Sequence, residues 1–275
     1  MKWVVLIFFL PILTLVQGQS SKSQDEMLDG YVNAFLATDQ SSQNSESFYQ
    51  HLDKLGDRRQ SFKNDEAFLR FVFSKTHEKF LRNFKSYASF SELFTKGNYN
   101  CLTATALYGL VLSHFNVPYQ ITETNYHIFL TAETTDGILL FEGTDPQGFI
   151  VDKKEIDKRI ASYRENKINE SSIGKTYYHL SCALFREVSL DEIVGLLHYN
   201  LAVDAFNHHQ LDASINHLDR ATAVYCSPRM EELTRIVLLA VVESKLDVGE
   251  KESFVKRIQV FRKRNIMALA SASSH

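Results

Sequence analysis

The sequence is poor in tryptophan, proline and cysteine, and it lacks an excess of basic charge. Its 275 residues include one tryptophan, four prolines and three cysteines, and the formal net charge is −3. Nucleic-acid binding requires a basic field, so we predict no nucleic-acid partner. No Cys-x-x-Cys or His-x-x-x-His spacing occurs. We therefore predict neither a metal site nor a cofactor.

Long apolar runs are also missing, except at the N-terminus. Lys2 precedes an apolar run over residues 3–16, and the small residue Gly18 follows. A bilayer span takes about 20 apolar residues, and this run is shorter. The pattern is typical of a secretory signal peptide over residues 1–18, cleaved after Gly18. It predicts a secreted or periplasmic protein, with an uncleaved N-terminal membrane anchor as the alternative.

The three cysteines are Cys101, Cys182 and Cys226. In an oxidising compartment an odd number of cysteines leaves at least one thiol unpaired. Cys182 and Cys226 either pair with each other or are small buried apolar residues. Cys101 would then carry the free thiol.

The central part of the chain changes from a helical to a strand-like pattern. Asn64 begins an amphipathic helix rich in phenylalanine, and Cys101 begins a second helix of small and apolar residues. After Tyr119 the apolar period becomes two, with a hairpin signal at Thr135-Asp136-Gly137. Helices followed by an antiparallel sheet predict an α+β fold.

The C-terminal part is predicted to be helical and resembles a tetratricopeptide repeat over residues 201–221. Leu218 and Ala221 fit that repeat, whereas His209 stands in place of its turn glycine. One or two such repeats need a neighbour that covers their apolar face. The predicted division of the chain is 1–18 signal peptide, 19–60 helical or irregular region, 61–152 core, 153–188 connecting segment, 189–267 repeat-like helices and 268–275 disordered tail.

Three residues in the core are candidates for chemistry. Cys101 opens the second helix, His127 follows on a predicted strand, and Glu142 follows on the next strand. A nucleophile, a base and an acid that orients the base occur together in thiol enzymes. A helix N-terminus carries a partial charge of about +0.5, which favours a thiolate at Cys101.

The identity of the acid depends on the register of the predicted hairpin. A strict two-residue loop at Asp136-Gly137 would place Glu142 too far along its strand. A four-residue loop would place Thr144 opposite His127, with Glu142 on the diagonal, about 7–8 Å away between Cα atoms. We therefore predict Glu142 as the orienting acid. Asp145 is the reserve acid, should a bulge reverse the alternation.

Three short segments resemble the transglutaminase-like domain of the papain-like thiol enzyme superfamily. They are Asn-Cys-Leu-Thr-Ala-Thr-Ala-Leu-Tyr at 100–108, Tyr-His-Ile-Phe at 126–129 and Phe-Glu-Gly-Thr at 141–144. The resemblance covers about residues 90–150. It implies a papain-like core in which Cys101 is the nucleophile, His127 the base and Glu142 the acid. Glu-Gly-Thr departs from the Asp-Pro-Thr that the family often has there.

The resemblance implies an exported enzyme that cleaves or transfers acyl groups at amide or peptide bonds. Its expected substrate is a peptide, a protein or a cell-wall fragment. Hydrolysis and transamidation share the acyl-enzyme step, so the sequence leaves both open. The alternative is a catalytically inactive fold that binds a protein partner, in which the C-terminal helices contribute a surface.

Overall fold

The protein is described from a computed structural model that covers residues 14–39, 45–165 and 183–272. Helices and one antiparallel sheet make up an α+β fold, which confirms the predicted class. The α-helices are α1 (Thr14–Leu36), α2 (Glu46–Gly56), α3 (Asp65–Phe80), α4 (Glu92–Thr95), α5 (Cys101–His114), α6 (Lys153–Arg164), α7 (Leu190–Asn207), α8 (Leu211–Val224), α9 (Pro228–Glu243) and α10 (Val248–Ala272). The strands are β1 (Asn83–Phe84), β2 (Asn98–Tyr99), β3 (Tyr119–Thr124), β4 (Ile128–Thr134), β5 (Gly137–Phe141), β6 (Phe149–Ile150) and β7 (Phe185–Val188).

Five strands form the main sheet in the order β6-β5-β4-β3-β7, and every neighbouring pair is antiparallel. Helix α5 packs against β4 and β3 in this sheet. Its small side chains allow a close approach: a Cβ on Gly143 would lie 2.8 Å from that of Ala104. Thr105 also donates a hydrogen bond of 3.2 Å to the carbonyl of Ile128. The helix that begins at Cys101 is therefore fixed to the strand that follows His127.

Helix α3 covers α5 with aromatic side chains. Asn64 caps α3 by accepting a hydrogen bond from the Ala67 amide at 3.0 Å, as its sequence predicts. Phe73 stacks on Tyr108 of α5 with ring centroids 5.0 Å apart. The Tyr108 hydroxyl donates to the Phe73 carbonyl at 3.0 Å. This contact satisfies the hydroxyl of a fully buried tyrosine and ties the two helices together.

The register of the β4–β5 hairpin places Leu130 opposite Phe141 and Thr134 opposite Gly137. This register is the one that the predicted four-residue loop implies, and its last pair, Leu130 and Phe141, precedes the Glu142 that the prediction assigned as the acid. The loop differs from both that we considered, because it contains only Thr135 and Asp136. Gly137 begins β5 with a φ of +133°, a value that favours glycine.

Three segments differ from the sequence-based expectation. The connecting segment 153–188 contains α6 and also β7, which joins the main sheet beside β3. Helix α10 runs to Ala272, so residues 268–272 are helical and do not belong to the predicted disordered tail. Helix α1 crosses the predicted boundary between residues 18 and 19. Cys182 lies outside the described residues, and Cys226 carries a free thiol.

Helix α7 packs against α8, and α10 packs against both α8 and α9. His209, in the α7–α8 turn, has a φ of 58°, the left-handed value for which the repeat uses glycine. Ser214 lies close to α7 and donates to the Ala202 carbonyl at 2.9 Å. The likeness to a tetratricopeptide repeat, the domain boundaries and the role of these helices in partner binding stay predictions. None of the helices in the described ranges has both the length and the apolar character that crossing a membrane requires.

Candidate active site

The candidate site begins at the N-terminus of α5, where Asn100 caps the helix. The Asn100 side chain accepts from the Thr103 amide, and the Thr103 hydroxyl accepts from the Asn100 amide, each at 2.9 Å. The Asn100 amide group also donates to the carbonyls of Ser86 and Ala88 at 3.0 and 3.3 Å. This buried network fixes the first turn of α5. Cys101, its first residue, remains partly exposed with a free thiol.

The structure brings Cys101, His127 and Glu142 together. The Nε2 atom of His127 lies 2.7 Å from Oε2 of Glu142. His127 also interacts electrostatically with the Cys101 sulfur. Because Nε2 bonds the carboxylate, Nδ1 is the ring nitrogen left for the sulfur. The order sulfur, imidazole, carboxylate is the one that thiol catalysis requires.

Glu142 is held by groups on both of its carboxylate oxygens. Its side chain is 5% exposed. The amide of Thr144 donates to Oε1 at 3.1 Å, and the hydroxyl of the same residue donates to that oxygen as well. The Glu-Gly-Thr segment thus supplies the carboxylate together with two donors that orient it.

Asp145, the reserve acid, does not reach the imidazole. Its carboxylate accepts from the Gln147 amide at 2.9 Å and lies 3.8 Å from Arg159. The chain turns tightly here: the Glu142 amide donates to the Gly148 carbonyl, and a Cβ on Gly148 would lie 2.1 Å from the Glu142 carbonyl oxygen. No bulge reverses the alternation, so Glu142 faces His127 and Asp145 faces α6.

Tyr163 of α6 is a fourth member that the sequence-based prediction missed. Its hydroxyl donates to Oε2 of Glu142 at 2.6 Å, and its ring centroid lies 4.7 Å from that of His127. Burial and the charge of Glu142 raise the pKa of Tyr163, so the hydroxyl keeps its proton. The apolar spacing of Ile156, Ile160 and Tyr163 marks one face of α6 and was the available signal. Nothing in that spacing shows what the face covers.

The electrostatics of the site favour a charged pair. Burial opposes protonation of His127, but the charge of Glu142 and the interactions of the imidazole with the Cys101 sulfur and the Glu142 carboxylate outweigh it and raise the pKa of His127. Burial likewise opposes ionisation of Glu142. The charge of His127 and the hydrogen bonds from His127, Thr144 and Tyr163 nevertheless hold the pKa of Glu142 below its usual value. The imidazolium form is therefore stabilised between the sulfur and the carboxylate.

Within the described residues, no group of three or more His, Cys, Asp or Glu side chains is arranged to hold a metal ion. No protein-family model, curated protein or solved structure matches the chain. The interpretation of the site therefore rests on its geometry.

Proposed function

We propose that this protein is an exported thiol enzyme with a transglutaminase-like core, which cleaves or transfers acyl groups at amide or peptide bonds. One observation carries the proposal. A partly exposed cysteine at a capped helix N-terminus lies within electrostatic reach of an imidazole, which a buried carboxylate holds at 2.7 Å. A cysteine that serves only for packing does not need an imidazole and a carboxylate behind it.

In the proposed reaction, the Cys101 thiolate attacks the carbonyl carbon of the substrate and forms a tetrahedral oxyanion. His127, protonated at the outset, gives its proton to the leaving nitrogen as the C–N bond breaks, and a thioester remains on the sulfur. Water or an amine then attacks the thioester while His127 takes up the proton of the attacking group. The product is an acid or a new amide, and the thiolate returns. Glu142 orients the ring and stabilises its charged form throughout.

The N-terminus of α5 offers donors for the oxyanion. The first four amides of a helix have no partner within the helix. At α5 the Thr103 amide bonds the Asn100 side chain, and the Ala104 amide bonds the Asn100 carbonyl. Among the described residues, the amides of Cys101 and Leu102 have no such partner, and they lie next to the sulfur. We assign the oxyanion to them, in the field of the helix dipole.

Glutamate in place of the family's usual aspartate fits the proposal, because its longer side chain spans the diagonal of the β4–β5 register. The proposed substrates are peptides, proteins or cell-wall fragments, and both hydrolysis and transamidation are open to the thioester. The described residues include a second thiol, Cys226, which supplies an internal control. Its thiol donates to the Thr222 carbonyl at 3.5 Å, and burial raises its pKa.

The test is to trap the acyl-enzyme with an activated acyl donor. On brief exposure to p-nitrophenyl acetate at pH 6, we expect one acetyl group on Cys101 and none on Cys226, located by peptide mass spectrometry. Cys226→Ala should retain the adduct, and Cys101→Ala should lose it. If the acetyl group passes only to water, the enzyme is a hydrolase. If it also passes to an added primary amine, the enzyme catalyses transamidation. Equal acetylation of both thiols would reject the enzyme and favour the binding module.

The proposal that the protein is exported rests on the N-terminal signal pattern, and it can be tested separately by tryptophan fluorescence. Trp3 is the single tryptophan of the sequence and lies within the proposed signal. Protein recovered from the secreted or periplasmic fraction should show tyrosine emission without indole emission, whereas the unprocessed chain should show both. Mass measurement of the N-terminal peptide gives the cleavage position. Indole emission from the exported protein would mean that the signal is retained, which is the membrane-anchored alternative.

A further inference from the structure

The histidine of the site lies in a turn that the C-terminal helices hold. His127 precedes β4 and follows a two-residue bend after β3. The Thr124 amide donates to the His127 carbonyl at 2.8 Å, and the His127 amide donates to the Thr124 hydroxyl oxygen at 3.0 Å. These bonds close the turn. Where the imidazole lies therefore depends on where the turn lies.

One guanidinium from α9 bonds the outer carbonyls of this turn. Nη2 of Arg229 donates to the Thr124 carbonyl at 2.7 Å and to the Asn125 carbonyl at 3.1 Å. Arg229 is the second residue of α9 and lies 105 residues from Thr124 in the chain. The helical region thus reaches into the loop that carries the base.

A buried carboxylate and two tyrosines fix the guanidinium. Nε of Arg229 lies 2.7 Å from Oε1 of Glu123, an ion pair whose angle falls short of hydrogen-bond geometry. Glu123 is 2% exposed, and its other oxygen accepts from the Tyr225 hydroxyl. The guanidinium lies 5.3 Å from the ring centroid of Tyr199. Burial opposes the charge, but the charge of Glu123 outweighs it and keeps the pKa of Arg229 above its usual value.

A buried ion pair is a poor source of stability, because apolar residues of similar volume are often as good or better. Such a pair instead fixes the position of neighbouring groups, because the rigid planar guanidinium holds several acceptors in fixed directions. Here the guanidinium joins Glu123, near the end of β3, to the carbonyls of the turn that precedes His127. These polar contacts fix the position of the turn.

We propose that Arg229 is a positioning residue for His127, through which the C-terminal helices complete the active site; this rests on the proposed function. Glu123 and Tyr225 hold Arg229, Arg229 holds the turn, and the turn sets the direction of the imidazole toward Cys101. The helical region is then a part of the catalytic unit and cannot be removed from it without loss of thiol reactivity.

The test compares Arg229→Met with a matched variant, Arg262→Met. Arg262 also forms an ion pair within the helical region, because its Nη2 lies 2.6 Å from Oε1 of Glu231 in α9. This ion pair involves neither the turn nor the Glu123 and Tyr225 side chains. We expect Arg229→Met to slow iodoacetamide alkylation of Cys101 at pH 6 about tenfold and to move its pH profile upward. Arg262→Met should leave both unchanged.

An independent readout is the titration of the His127 imidazole, followed by NMR on histidine-labelled protein. Its midpoint should fall in Arg229→Met and stay at the wild-type value in Arg262→Met. A folded Arg229→Met protein with the wild-type alkylation profile and midpoint would overturn the proposal. Should that variant fail to fold, Arg229→Lys takes its place. A single ammonium cannot reach Glu123 and both carbonyls, so the Cys101 alkylation rate and the His127 midpoint should fall by a smaller amount. Wild-type values of both in a folded Arg229→Lys protein would overturn the proposal.

The two proposals fail in different ways. If Cys101 of the wild type reacts no faster than Cys226, the proposed enzyme is rejected. A fall in the His127 midpoint in Arg229→Met would still establish the positioning role in that case. If Cys101 reacts rapidly in the wild type and in Arg229→Met alike, the enzyme stands and the positioning role is rejected.

Discussion

Replacing His127 by alanine is expected to slow alkylation of Cys101 by iodoacetamide at pH 6 about a hundredfold. In the proposed mechanism, the imidazolium is the group that stabilises the thiolate nucleophile. A thiol without such a partner has a pKa of about 8.5, and at pH 6 about one molecule in three hundred is ionised. Lower intrinsic nucleophilicity of a stabilised thiolate offsets part of that factor. The measurement is the second-order rate from pH 5 to 9, with each labelled cysteine resolved by mass spectrometry.

Two controls separate this effect from a general loss of structure. Cys226 in the same sample should label slowly at pH 6 in both proteins, because burial raises the pKa of its thiol. His198→Ala removes another buried histidine, whose Nδ1 lies 3.1 Å from that of His217, and should leave the Cys101 rate unchanged. A Cys101 rate that is the same with and without His127 would contradict the assignment of the base.

The elements of the site that depend on local sequence could be predicted. The start of α5 at Cys101 and its deep position in the core followed from the small and apolar residues after Cys101, whereas the cap by Asn100 and Thr103 was not predicted. The register followed from strand alternation, because a shift by one residue would turn Glu142 away from His127. In the prediction of the β4–β5 hairpin, only the length of the loop was wrong. The hairpin closes with Thr135 and Asp136, and the same register results.

The residues that support the site could not be predicted, because their contacts join distant parts of the chain. Tyr163 bonds Glu142 across 21 residues, and Arg229 bonds the turn across 105. Neither belongs to a motif, and each lies on a helix whose packing partner the pattern does not name. Strand β7 was missed for a similar reason. Its four residues are too few to show a period, and it becomes a strand by pairing with β3.

Replacing Glu142 by glutamine is expected to lower the free energy of unfolding by about 2–3 kcal/mol at pH 5.5. Breaking a buried ion pair costs about 3–5 kcal/mol, and the cost is smaller here because the imidazole can lose its proton. For a chain of this size the loss corresponds to a fall in Tm of about 5–10 °C. The measurement is Tm against pH for the wild type and the variant, with the difference between them as the observed quantity.

The pH dependence of the Tm difference follows from the pKa shifts of His127 and Glu142. The pKa of His127 is raised, so its contribution is fully present below about 6.5, the unfolded value, and is lost as pH rises through the folded value of about 10. The pKa of Glu142 is lowered to about 2, so its contribution is present above about 4.5 and is lost as pH falls. The difference in Tm should therefore be largest between about pH 4.5 and 6.5 and should shrink on both sides.

Glu92→Gln is the matched control for this profile. Glu92 is a partly buried carboxylate that pairs with Lys85 and Lys96 at 3.0 and 3.1 Å, and these pairs lower its pKa. Neither of these two ion pairs involves a histidine, so its difference from the wild type should stay flat between about pH 6.5 and 9. A difference for Glu142→Gln that is also flat between about pH 6.5 and 9 would show that His127 carries no charge beside Glu142, and the proposed imidazolium would have to be abandoned.

Tyr163→Phe is a further variant that removes one hydrogen bond from Glu142 and keeps the ion pair with His127. Its fall in Tm should therefore be smaller than that of Glu142→Gln.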